Sequence, residues 1–150
     1  MTSERPENTG SSPCVARHIN HVAIAVRDLE ESLALYRSLF GVGGGDIEEI
    51  EDQAVRATLV RIGGSQLELI QPTDPAGAIA RFIERRGEGL HHVCFEVEGL
   101  QETLDSLAAA DVDLIDTAPR EGLSGMIAFL HPRSTGGVLI ELVDQDGARR

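Results

Sequence analysis

His21-Val22-Ala23-Ile24-Ala25-Val26-Arg27-Asp28-Leu29-Glu30-Glu31-Ser32-Leu33 is echoed 71 positions later by His92-Val93-Cys94-Phe95-Glu96-Val97-Glu98-Gly99-Leu100-Gln101-Glu102-Thr103-Leu104. In each copy a short apolar run led by histidine passes into a stripe of leucines at helical spacing, so each copy predicts a strand followed by a helix. Downstream, Glu68-Leu69-Ile70 has its counterpart 73 positions on in Glu141-Leu142-Val143. The duplication therefore predicts two half-length modules, each bringing one His and one Glu to an equivalent place.

Working outward, Ile19 to Val26 reads as a strand. Asp28 opens a helix through a capping box to Glu31, with an apolar stripe at Leu29, Leu33, Tyr36 and Phe40 and a stop at Gly41. Strands are expected at about 46–51, 54–62 and 66–71, the last two joined at Gly63-Gly64. Asp74-Pro75 reads as the N-cap and first turn of a linker helix, with Ile79, Phe82 and Ile83 on one face and Arg85, Arg86 and Gly87 closing it. The second module repeats the order with a strand at 91–97, a helix at 100–110 and strands near 112–116, 126–131 and 137–143; residues 118–125 read as a loop. The expected fold class is α+β: two tandem βαβββ modules forming a cupped mixed or antiparallel sheet around a metal site, helices outside. Module one spans about 18–72, the linker helix 75–87 and module two about 90–144, within a domain of 17–145. Residues 1–16 read as a disordered tail rich in Pro, Gly and Ser, and 146–150 as a C-terminal tail.

Composition narrows the functions open to the chain. A formal net charge of −12 over 150 residues repels nucleic acid and anionic membranes. With no Trp and 3% aromatics there is no stacking platform for single strands. No apolar run reaches transmembrane length, the first residues lack a secretory apolar segment, and Cys14 and Cys94 do not make a disulfide framework, so a cytoplasmic location is expected.

The glutamates carry the chemistry. Glu141 is the lone charge in Val138-Leu139-Ile140-Glu141-Leu142-Val143, and Glu68 sits likewise in Leu67-Glu68-Leu69-Ile70. An ionised carboxylate buried without a partner costs several kcal/mol, and the chain has no lysine. Taken singly, each glutamate reads as a salt-bridged or solvent-facing strand residue, and each histidine as a satisfied strand-end residue. The symmetric set of His21, Glu68, His92 and Glu141 reads instead as the ligands of a divalent first-row metal. His18 and His91 have no histidine counterpart in the other half and are set aside.

At these residues the chain resembles the vicinal oxygen chelate superfamily, and within it the methylmalonyl-CoA epimerase family, over about residues 18–144. The resemblance rests on Ile19-Asn20-His21-Val22-Ala23-Ile24-Ala25-Val26, on Gly87-Glu88-Gly89-Leu90-His91-His92-Val93, and on Phe129-Leu130-His131-Pro132-Arg133-Ser134-Thr135-Gly136-Gly137-Val138-Leu139-Ile140-Glu141-Leu142. It implies metal ligation by His21, Glu68, His92 and Glu141, with Co2+ foremost and Ni2+, Zn2+ or Mn2+ as alternatives. It further implies interconversion of (2R)- and (2S)-methylmalonyl-CoA through a metal-stabilised thioester enolate, with an acyl-CoA as partner and a homodimer as the assembly. Several members carry a catalytic glutamate where this chain has Ala57, so Glu141 is expected as the leading base and Glu68, its symmetry mate, as the group serving the other face. Ser124 and Gly125 of the loop Arg120 to Met126 are expected to meet the substrate carboxylate, and His131 and Arg133 the CoA phosphates. Arg81, Arg85 and Arg86 are further candidates for those phosphates. Two other readings fit the resemblance: a glyoxalase I-like isomerase and a metal-free small-molecule binder.

Overall fold

The computed structural model describes residues 12–146; of the expected tails, 1–16 and 146–150, residues 1–11 and 147–150 lie outside them. Eight strands form one sheet in the order β2-β3-β4-β1-β5-β8-β7-β6, with β1 at His18–Ala25, β2 at Glu48–Ile50, β3 at Val55–Ile62, β4 at Ser65–Pro72, β5 at Gly89–Glu96, β6 at Arg120–Gly122, β7 at Gly125–Leu130 and β8 at Ile140–Asp144. The order is a mirror image about the antiparallel β1–β5 seam, and each half holds one parallel pair, β1 with β4 and β5 with β8. The sheet curls into a nearly closed cup, as the βαβββ repeat predicted.

Helix α1 (Leu29–Phe40) forms where the capping box placed it: Asp28 Oδ1 accepts from Glu31 N–H at 2.9 Å, and Gly41 ends the helix at φ 63°, the left-handed region glycine adopts without steric cost. Leu29 and Leu33 are buried on the convex sheet face with Val60, Leu67 and Leu69. Phe40, expected on the same stripe, is exposed instead. Helix α3 (Leu100–Ala109) repeats this packing in module two, placing Leu100, Leu104 and Leu107 on Ala128, Leu130 and Leu142. Both helices grip the convex face, where every second strand residue points.

The linker helix α2 (Ala78–Arg86) behaves differently. Its Ile79 and Ile83 pack on Ala23, Ala25, Val55, Ala57 and Ile70, which are concave-face residues of module one. It lies outside the strands but roofs half the cup. It also begins later than expected: Asp74 Oδ1 accepts from Ala76 N–H at 2.9 Å, closing a local turn before Pro75 can start a helix, and Gly77 is the N-cap.

Module two departs from the expected strands in one place. No strand forms at 112–116; the segment makes only a bridge from Leu114 to Leu130. Asp116 Oδ2 accepts from Phe129 N–H at 2.8 Å, so a side chain takes the bond a strand carbonyl would have taken. The strand matching β2 lies instead at β6, inside the stretch read as a loop, because Gly122 and Gly125 close a hairpin with β7.

Candidate metal centre

The concave face follows from strand alternation. His21, Ala23 and Ala25 of β1 point into the cup, as do Glu68 on β4, His92 and Cys94 on β5, and Glu141 on β8. Register sets them side by side: Ala23 pairs with Glu68 and His92, and Cys94 with His21 and Glu141. Donor atoms of four residues converge as a result. His21 Nε2 lies 3.2 Å from Glu141 Oε1, 3.3 Å from Glu68 Oε2 and 3.3 Å from His92 Nε2, while His92 Nε2 lies 3.7 Å from Glu141 Oε2. All four residues are buried.

Donors held about 2.0–2.2 Å from one ion stand roughly 3–3.6 Å apart; the three separations from His21 fall in that range, and the candidate ligands form two overlapping groups that share His21, one with Glu68 and His92 and one with Cys94 and Glu141. The tautomers fit as well. Asn20 Oδ1 accepts from His21 Nδ1–H at 2.7 Å, which leaves the His21 Nε2 lone pair facing the cluster. His92 Nδ1 lies 2.8 Å from His91 Nδ1, and ligation through His92 Nε2 requires that His92 be the donor of this bond.

His91, set aside as a ligand, stands in none of the candidate ligand groups among the described residues and instead contacts His92. Its counterpart in the repeat is Asn20, one residue before the other cluster histidine. Both occupy irregularities of the β1–β5 register: the pairing skips Asn20 between Ile19 and His21, and skips His91 opposite the step from Ala23 to Ile24. A bulge places two successive side chains on one side of a strand, which ordinary alternation forbids.

Without an ion the cluster is short of positive charge. Burial disfavours the His21 cation, but the hydrogen bond to Glu141 and the charges of Glu68 and Glu141 outweigh it and raise its pKa. Burial also opposes ionisation of Glu141, and its bond to His21 with the fields of His92 and His21 reverses that, holding its pKa below the ordinary value. Burial pushes His92 down to about 3. The Cys94 thiol, missed by the sequence reading, lies in a donor group with His21 and Glu141; burial and the neighbouring carboxylates keep it protonated, as a donor toward Glu141.

Burial pushes Glu68 up to about 7, helped by Glu141 and opposed by His21. A carboxyl whose folded pKa is raised contributes stability that is present at low pH and lost as pH climbs from its ordinary 4.5 to about 7. In chelator, the stability of wild type relative to Glu68→Gln should fall by roughly 3 kcal/mol across that window in urea titrations. A pH-independent difference would show that Glu68 does not keep its proton on folding.

A cavity of about 410 Å³ opens over the cluster, bounded by Glu68, His92 and Glu141 below and by Gln53, Arg120 and Phe129 on its walls. Among the described residues Gln53 Nε2 and Arg120 Nε are buried donors without a hydrogen-bond partner. Arg120 Nε does lie 3.2 Å from Asp116 Oδ1, which is ion-pair range without hydrogen-bond alignment. Gln53 and Arg120 line the cavity as residues, and an amide and a guanidinium on one wall suit an anionic or carbonyl-bearing ligand. Ala57 is fully buried in the apolar cluster beneath α2 and offers no acid or base.

The four residues expected to handle substrate lie outside this cavity. Arg133 is held by Asp113 at 2.7 Å, and His131 Nδ1 accepts from Arg133 N–H to cap the turn at 132–134. Ser124 and Gly125 lie at the tip of the β6–β7 hairpin. An arginine and a turn read from sequence do not reveal which way they face.

The model of the glyoxalase/bleomycin resistance protein/dioxygenase superfamily matches residues 20–129. The chain belongs to that superfamily. Among superfamily relatives, an ethylmalonyl-CoA/methylmalonyl-CoA epimerase of Cereibacter sphaeroides is 35% identical, covering 83% of this chain and 95% of the relative. The mitochondrial methylmalonyl-CoA epimerase of Dictyostelium discoideum is 33% identical over 92% of this chain and 89% of its own. A solved methylmalonyl-CoA epimerase in complex with methylmalonyl-CoA and NH4+ superposes with a TM-score of 0.84 at 31% identity, covering 89% of this chain and 98% of that one. Among the described residues no helix is long and apolar enough to cross a membrane.

Proposed function

We propose that this chain is a metal-dependent epimerase interconverting (2R)- and (2S)-methylmalonyl-CoA. The observation carrying the proposal is the convergence of His21, Glu68, His92 and Glu141 beneath an open cavity, in a chain whose relatives bear that epimerase name. The proposed ligands are those four residues. The proposed ion is a divalent first-row metal, Co2+ first, which when bound supplies a Lewis acid against negative charge developing on a substrate oxygen.

The protein's own groups do the rest. Glu141, held ionised by its neighbours, is proposed to take the C2 proton on its carboxylate. Glu68, its mate across the β1–β5 seam, is proposed to serve the opposite face, a role that buried Ala57 cannot fill. Gln53 and Arg120, which line the cavity, are proposed to meet the substrate's polar end. Phe129 and Leu139 exclude water from the wall beside them.

We also propose residues 17–145 as one domain, a homodimeric assembly by analogy with the family, and a cytoplasmic location, which suits two free cysteines. The test of the activity is direct. Purified protein supplied with Co2+ should racemise (2S)-methylmalonyl-CoA, followed by circular dichroism or by coupling to a stereospecific mutase. Formation of lactoylglutathione from the hemithioacetal, with methylmalonyl-CoA left untouched, would replace this reading with the glyoxalase one.

A further inference from the structure

We propose that Arg81, Arg85 and Arg86 of α2 form the docking site for the phosphate groups of the substrate's coenzyme A, a proposal that rests on the acyl-CoA reading above. A second cavity of about 500 Å³ is lined by these three arginines together with Phe82 and Pro132. It shares Ala78, His91, Ile115 and Leu139 with the cavity over the donor cluster, so the two adjoin across these residues, and we take them as one trough. One end holds the His and Glu donors and the other holds cations. A nine-residue helix is about 13 Å long, and α2 runs beside the trough from the shared Ala78 to Arg86. That separation suits a substrate whose reacting carbon and phosphates sit at opposite ends of an extended arm.

Charge distribution supports the assignment. Against a net charge of −12, Arg17, Arg27, Arg56, Arg120 and Arg133 each pair with a carboxylate. Among the described residues Arg37, Arg61, Arg81, Arg85 and Arg86 have no such ion pair and all are exposed; what sets the three of α2 apart is that they line one cavity together. Glu84 is the one carboxylate on the helix and pairs with none of them among the described residues. Basic residues in a last helical turn are commonly explained by the helix dipole. That accounts for Arg85 and Arg86 but not for Arg81, near the other end. Arg81 and Arg85 share a face by their i, i+4 spacing, while the Arg86 guanidinium rests 5.9 Å from the centre of the Phe82 ring. The result is three unneutralised guanidiniums around one concavity, the donor pattern that recognises phosphate.

The test compares methylmalonyl-CoA with methylmalonyl-pantetheine, which has the same reacting end and no phosphates. Replacing all three arginines by alanine should raise KM for the CoA thioester tenfold or more while kcat stays within about twofold. KM for the pantetheine thioester should stay unchanged, and the triple lysine variant should recover most of the loss. An equal rise for both thioesters, or no rise for either, overturns the docking site. Calorimetric titration with free coenzyme A separates this outcome from failure of the activity itself. If neither thioester is epimerised by wild type, coenzyme A should still bind wild type and fail to bind the alanine variant; absence of binding to wild type overturns the proposal.

Discussion

Glu141→Gln is expected to lower exchange of the C2 proton, in deuterated buffer and for the epimer whose proton faces Glu141, by roughly 10²–10⁴-fold, the range a positioned general base contributes. The substitution keeps an oxygen donor toward the cluster and a nearly unchanged shape, so a bound ion should remain, which metal analysis of the purified variant checks. What it removes is the carboxylate that the His21 hydrogen bond and the His92 and His21 fields keep ionised. Glu68→Gln should behave differently: one epimer should still exchange its proton on the Glu141 face while inversion stops. Full exchange in Glu141→Gln would move the base elsewhere, and Asp52, on the wall of the same cavity, would be the next residue to replace.

Removal of metal should have the second large effect. Chelator-treated protein is expected to lose at least 99% of its epimerase activity and to regain it with Co2+. Because an ion that binds only the folded state stabilises it, saturation near a thousand times Kd adds about 4 kcal/mol, a rise of roughly 10 °C or more in melting temperature for a domain of this size. His21 Nε2 lies 3.2–3.3 Å from a donor of each of the other three proposed ligands. His21→Ala should therefore abolish both the activity and the Co2+-dependent rise in melting temperature. Undiminished turnover in protein holding only trace metal would assign the chemistry to the carboxylates alone.

The repeat was legible because each module must bury the same faces, so the same residue types recur at the same places along strand and helix. His21 and His92, with Glu68 and Glu141, stand out as polar residues on strands that otherwise alternate apolar side chains into a packed sheet. The cap at Asp28 and the stop at Gly41 were equally local and equally readable. Less legible were features that depend on a competing contact. Asp116 takes the bond that would have continued a strand through Leu114, and Asp74 closes a turn that delays α2 to Ala78.

The walls of the site were harder still. Period-two alternation sends Asn20 and His91 to the face opposite His21 and His92, and only the β1–β5 pairing shows the bulges that turn them toward their neighbours. Cys94 reads as one more small apolar residue until β8 lays Glu141 beside it. Arg133 reads as a free cation until Asp113 is found against it, and the arginines of α2 read as a helix end until the trough appears beneath them. Sequence alone determined the duplicated architecture and the four residues at equivalent places, because periodicity and burial act along a single strand or helix. The tertiary structure decided which side chains face one another, because register, bulges and ion pairs join segments about 70 residues apart in the chain, and no local pattern records such a pairing.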